Sequence, residues 1–275
     1  MTSPKKQVNR RRLRLLAAQN LSSWGSETPR QIRWIFLLTM KEKLVVLSGS
    51  GISAESGIPT FRAEDGLWAG FRIEDVATPE AWQKDYKKVL EFYNVRRENA
   101  ATAQPNHAHI ILSKLQAYFD VQIITQNVDD LHERAGSQKV MHLHGNLFEA
   151  RSTKTNKVYP VKNNLIQAGE LCPEGAQLRP HIVWFGEAVP LIEHAAQEVA
   201  KADYFLIIGT SLQVYPAAGL WRYCPYTAQK FLIDPNLPIE VAGREDFICW
   251  KENATTGMDK LVEYLNKFLG EKIEM

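Results

Sequence analysis

From residue 43 onward, short apolar runs rich in β-branched residues alternate with longer stretches whose apolar positions recur every three to four residues. The short runs predict strands at 44–47, 122–125, 140–143, 204–208 and 230–233, and the periodic stretches predict helices at 79–100, 107–118, 191–201 and 258–268. Thr78 followed by Pro79 is an N-cap with proline at the first helical position, which fixes the start of the first long helix. Strands alternating with helices predict an α/β fold built on a mainly parallel sheet. Two stretches break the alternation, at about 63–104 and 145–179, and are expected to be modules inserted into the main domain.

Composition sets the class and excludes several others. The 275 residues are 45% apolar and 23% charged, enough for one sizeable core, and three cysteines cannot form a disulfide framework. A reducing, cytoplasmic setting is expected. No apolar run approaches the roughly 18 residues that a membrane helix needs. The net charge of +2 gives no reason to expect nucleic acid as a partner. It conceals an asymmetry: residues 1–39 carry eight Lys and Arg against one Glu, and the remaining 236 are mildly acidic. This basic segment is expected to be disordered or not native, with at most a short amphipathic helix around 12–18, and the functional domain to span 40–275.

Chemistry collects at the predicted strand ends. Gly49-Ser50-Gly51-Ile52-Ser53-Ala54 follows the first strand and fits G-x-G-x-x-A, a turn whose N–H groups can face a pyrophosphate. The ordinary dinucleotide unit places a second strand and an acid about 20 residues later. Here the next strand begins near 122, which disfavours a simple dehydrogenase. Gln126, Asn127 and Asp129 leave that strand, supplying two amides and a carboxylate suited to ribose hydroxyls and a carboxamide. Gly209-Thr210-Ser211 forms a second glycine turn after another strand. His142 and His144 bracket Leu143 and are expected to face opposite ways, with His142 structural and His144 a base facing the site.

Taken together these residues resemble the sirtuin family of NAD-dependent protein deacylases. The segment from Gly49 through Ser56-Gly57-Ile58-Pro59-Thr60-Phe61-Arg62 is similar to that family's cofactor loop, with Ser50 where alanine is usual. Gln126-Asn127-Val128-Asp129, His144-Gly145, Val183-Trp184-Phe185-Gly186-Glu187 and Gly209-Thr210-Ser211 follow in the family's order. The resemblance implies a Rossmann-like sheet with helices on both faces, a smaller module, and NAD consumed as co-substrate. It implies His144 as catalytic base and Asn127 and Asp129, helped by Gln126, at the nicotinamide ribose. Gly49, Ser50, Gly51, Ile52, Ser53, Phe61 and Arg62 would form the cofactor loop. Gly209, Thr210 and Ser211 would line the phosphate and adenosine end, and Asp234 would meet the adenine ribose and disfavour a phosphorylated one. Val183, Trp184, Phe185 and Gly186 would pair as a strand with an acyl-lysine peptide. The products would be free lysine, nicotinamide and acyl-ADP-ribose.

Tyr93 and Arg96 share a helix face at i, i+3 and look like the pair with which one deacylase subgroup accepts negatively charged acyl chains, beside a small residue at Ala77. Succinyl, malonyl and glutaryl chains are therefore expected to be preferred over acetyl. Most sirtuins hold a structural zinc with four cysteines between the His-Gly motif and the segment at 183. Only Cys172 lies there, with Ser152 in a ligand's place, so no zinc is expected and the module must rest on Leu147, Phe148, Val158, Tyr159, Val161 and Leu165. A monomer is expected. ADP-ribosyl transfer and a non-catalytic NAD or acyl-lysine reader are the competing functions.

Overall fold

The computed structural model describes residues 41–60, 67–68, 71–269 and Ile273; the basic segment 1–39, Phe61 and Arg62 lie outside them. Six strands form one parallel sheet: β1 (Lys43–Ser48), β4 (Asp120–Thr125), β5 (Val140–His142), β9 (Tyr204–Ile208), β10 (Gln229–Ile233) and β11 (Phe247–Trp250), in the order β11-β10-β9-β1-β4-β5. Numbered along the chain, that is the doubly wound order of a Rossmann fold, reversing between β1 and β9. β1 is buried on both faces because each is covered. Leu44 and Val46 join a core with α3 (His107–Leu115) and α6 (Ala254–Leu269). Val45 and Leu47 join another with α5 (Ile192–Val199) and the 3-10 segment Ala217–Tyr223. Continuous apolar strands are what such double coverage requires.

The strands expected from the sequence are present with ends moved by one or two residues, and β11, a short edge strand, was not anticipated. The long helix α2 (Pro79–Thr102) starts as predicted, Thr78 Oγ1 accepting from Ala81 N at 3.0 Å. It is broken at Asp85 (φ −154°, ψ 78°), whose carboxylate accepts from Lys88 N and starts the helix again. The expected helix 107–118 is regular only to Leu115, after which the chain tightens into turns.

The two stretches that break the alternation meet each other, the first of them opening with a short antiparallel pair, β2 (Leu67–Trp68) and β3 (Phe71–Arg72). A three-stranded antiparallel sheet, β6 (Gly145–Ser152), β7 (Val158–Pro160) and β8 (Leu178–Ile182), packs against α2 and the short helix α1 (Ile73–Val76). Val89, Phe92, Tyr93, Leu147, Ile182 and Trp184 form one cluster, and Leu90, Ala150, Ile166, Cys172 and Leu178 another. Of the residues expected to hold this module, Leu147 is buried and Phe148, Tyr159 and Val161 are packed on the clusters. Val158 and Leu165 are exposed, their places taken by Ile166 and Cys172. Among the described residues no helix is long and apolar enough to cross a membrane.

Candidate active site

The residues of both glycine turns, Gln126 to Asp129, His144 and Asp234 follow the C-terminal ends of five neighbouring parallel strands, where the order reversal opens a crevice. β1 and β9 lie side by side, so their two glycine turns touch. Gly51 N donates to Gly209 O (2.8 Å) and Gly49 N to Ile208 O (3.1 Å). A Cβ on Gly49 or Gly51 would sit 2.7 Å from the other turn, and one on Gly209 (φ +62°) only 2.3 Å from Ile52 N. The glycines are thus demanded first by the approach of two loops. Ser50–Ser56 continue as a 3-10 helix that ends at Gly57 in the left-handed region (φ 85°).

Beyond β4 the chain is tied to that loop. Gln126 Nε2 donates to Thr210 Oγ1 (3.0 Å), Asn127 Nδ2 to Ser53 Oγ (3.0 Å), and Ser53 Oγ to Asp129 Oδ2 (3.1 Å). Asn127, Asp129 and Ser53 are all buried. Burial pushes the Asp129 carboxyl upward, against the opposing pull of Leu131 N–H, the Ser53 hydroxyl and His142. Asp234, at the end of β10, is buried with its carboxyl raised by burial, and its Oδ1 accepts from Asn236 N (2.8 Å). Ser211 is exposed beside buried Thr210.

The two histidines differ in their partners. Positions two apart in one strand would face the same way, but β5 ends at His142 and His144 sits in the turn into β6, so the expected alternation does not operate. His142 Nδ1 donates to Asn127 O (2.9 Å) and Nε2 meets Glu133 Oε1 (2.7 Å). Burial alone would depress this imidazole, yet Glu133 outweighs it and the value is raised. His144 Nδ1 meets Gln126 O (3.1 Å). A carbonyl only accepts, so Nδ1 carries the proton and Nε2 keeps a lone pair. Burial lowers His144 below 6.5, partly offset by that carbonyl, so the ring is neutral at pH 7.

On the other wall, Tyr93 and Arg96 face inward: Tyr93 is fully buried and Arg96 nearly so, and Arg97 beside them is buried too, so this helix face is not a solvated one. Arg97 donates to Leu147 O and, from Nη1, to Asn94 Oδ1 (2.6 Å). Burial lowers the Arg96 guanidinium to about 10 despite attraction from Tyr93 and Asp129. Arg96 therefore lies within electrostatic reach of the carboxylate in the strand-end cluster. Ala77 is buried, and its carbonyl accepts from Phe185 N (3.0 Å). β8 ends at Ile182, and the segment 183–186 runs into a turn closed by Glu187 N donating to Trp184 O (3.0 Å): Val183 N is bonded to His144 O, Phe185 N to Ala77 O and Trp184 N to Glu187 Oε2. Glu187, Arg179 and Arg151, which brace this turn, went unassigned because their meeting depends on β6 pairing with β8, a long-range register.

The Sir2 family profile matches residues 49–216. The chain belongs to the Sir2 family. A protein of Aggregatibacter actinomycetemcomitans named NAD-dependent protein deacylase is 59% identical over 198 residues, covering 72% of this chain and 95% of that one. A Helicobacter pylori protein of the same name is 50% identical over 230 residues, covering 82% and 97%. Among solved structures, a Sir2 homologue in complex with NAD matches this Sir2 protein with a TM-score of 0.73 at 38% identity, covering 89% of this chain and 96% of that one. A Sir2 homologue with a deacetylated peptide and acetyl-ADP-ribose has a TM-score of 0.69 at 29% identity, covering 85% and 97%.

Proposed function

We propose that this Sir2-family enzyme, an NAD-dependent protein deacylase that consumes NAD as co-substrate, acts by preference on lysines whose acyl chain ends in a carboxylate. The observation that carries the preference is the Tyr93–Arg96 pair, buried beside Ala77, with Asp129 acting on Arg96 from the strand-end side. A guanidinium fork and a phenol in a desolvated wall suit a terminal carboxylate and give an acetyl group nothing to use. NAD, when bound, supplies a ribose carbon that accepts the acyl oxygen as nicotinamide departs. The residues of the chain do the rest. Asn127 and Asp129, pinned to Ser53, orient the ribose; His144 Nε2 takes the proton from a ribose hydroxyl, whose oxygen bonds to the acyl carbon, and returns it to the lysine amine as the carbon–nitrogen bond breaks; one water molecule is consumed in releasing acyl-ADP-ribose. The geometry favours this over a reader module, since a merely binding protein has no use for an imidazole kept neutral in a fixed tautomer.

We read the small module as zinc-free. The donor set does not fit a tetrahedral thiolate site: Cys172 Sγ donates to Ser152 Oγ (3.3 Å), which accepts from Lys154 N and Thr155 N (both 3.2 Å). Among the described residues no three His, Cys, Asp or Glu side chains converge as a metal site.

The test is mass spectrometry of one peptide carrying acetyl- or succinyl-lysine, with and without NAD. NAD-dependent loss of the acyl mass and appearance of acyl-ADP-ribose is expected, with succinyl removed faster. His144→Ala should cut turnover by about 10²–10⁴-fold while NAD still binds. Arg96→Met should lower kcat/KM for succinyl by about 10–100-fold and leave acetyl removal nearly unchanged. Equal losses on both acyl groups overturn the carboxylate preference. Nicotinamide release without acyl loss would instead establish ADP-ribosyl transfer.

A further inference from the structure

Glu187 stands at the centre of a charged knot that the chemistry above does not use. Arg179 grips it with both guanidinium nitrogens (Nη1 to Oε1 2.9 Å, Nη2 to Oε2 3.0 Å). Arg151 Nη2 reaches both carboxylate oxygens (3.0 and 3.2 Å), and Trp184 N donates to Oε2 (2.8 Å). Arg179 Nη2 also donates to Ile182 O (2.9 Å), and its guanidinium lies 3.2 Å from the centroid of the Trp184 ring. Burial alone would raise the Glu187 carboxyl, but Arg179, the Trp184 N–H and Arg151 hold it below its usual value, so it is ionised at neutral pH.

Such a knot is a costly way to hold a sheet together. Arg151 and Arg179 face each other directly across β6 and β8, a like-charged pair that disfavours the pairing unless an anion stands between them. Apolar residues of similar volume would stabilise the strands as well or better. What the ions add is direction, since their contacts end on the backbone at Ile182 and Trp184, where the chain leaves β8 and turns. The Trp184 indole in turn shares a buried cluster with Tyr93 and packs on Trp82, with ring centroids 5.6 Å apart. The orientation of the turn is thereby transmitted to the packing around Tyr93.

We propose that Arg151 and Arg179, acting through Glu187, are positioning residues that fix the turn 183–186 for the acyl-lysine peptide, so that the small sheet sets peptide affinity without touching the substrate. This rests on the reading of that turn as the peptide's docking edge. Arg151 is the side chain to change, because its loss leaves the bidentate Arg179–Glu187 pair intact and so spares folding. Steady-state kinetics on an acetyl-lysine peptide should show Arg151→Met raising the peptide KM on the order of tenfold, the effect of losing one charge-assisted contact, with the NAD KM within about twofold. Arg151→Lys should recover part of the loss. A parallel rise in both KM values, or a lowered melting temperature with neither KM changed, overturns the proposal and leaves the knot a structural brace. Phe185→Ala, on the exposed part of the turn, separates the two readings. If it leaves the peptide KM unchanged, the docking edge itself is wrong; if it raises that KM while Arg151→Met does not, only the positioning role falls.

Discussion

The parallel sheet and the small antiparallel module place their ion pairs differently. Around the sheet the buried ions keep to the strand starts, Glu198 with Lys43 (2.6 Å) and Lys201 (2.5 Å) and Lys230 with Asp246 (3.5 Å), while two buried histidines are neutral. His109 and His132 stack edge to face (4.9 Å), and burial pushes His109 down to about 4 and His132 well below 6.5. In the small module half-buried Glu187 is paired with two arginines, and buried Arg97 donates to Asn94 and the Leu147 carbonyl. A core covered on two faces keeps its ion pairs to the strand starts, where Lys43 and Lys230 reach carboxylates. The three-stranded module, covered by α2, has less apolar surface to offer and is specified by directional contacts instead.

The largest expected effect that would break this contrast is on stability. Phe231 is fully buried, packed between Tyr204 and Trp250 with Tyr264 against its edge. Phe231→Ala should cost about 3–5 kcal/mol in denaturant unfolding. By contrast Cys172→Ala in the module, which removes the hydrogen bond to Ser152 and little volume, should cost about 1 kcal/mol. A Cys172→Ala loss as large as that of Phe231→Ala would show that the module's directional bonds carry as much stability as the core.

The effect that sharpens the contrast is its pH dependence. His109 ionises at about 4 in the folded chain, against the 6.5 of an ordinary histidine. Below pH 6.5 the unfolded chain takes up a proton that the folded chain refuses, so stability falls as pH drops from 6.5 toward 4, by up to about 1.4 kcal/mol per pH unit for each such group. His142, raised by Glu133, works in the opposite sense. Glu187, held low, keeps its contribution above the ordinary carboxylate range and loses it only as pH falls through its depressed value. Thermal unfolding at pH 7 and 5 should therefore show a decline that His109→Gln flattens and Glu187→Gln does not. The reverse ranking would place the acid-sensitive groups in the small module.

Much of this architecture was legible along the chain. Runs such as Leu44-Val45-Val46-Leu47 and Tyr204-Phe205-Leu206-Ile207-Ile208 can be nothing but strands buried on both faces, and Thr78-Pro79 marks a helix start whatever surrounds it. The glycines of both turns and the polar residues after β4 were equally plain, because backbone sterics and strand-end chemistry are local properties. Tertiary structure alone decided the rest. Nothing in the spacing says that Gly51 and Gly209 need each other, that His142 is tied to Glu133 while His144 keeps a free lone pair, or that the segment from 183 runs into a turn. Nor does it say that Arg151 and Arg179 converge on Glu187. Each of those facts depends on which strands lie side by side and in what register, and a hydrogen bond or ion pair exists only when two groups distant in the chain arrive within about 3 Å of each other. Local periodicity fixes the elements; only their packing fixes the partners of each polar group.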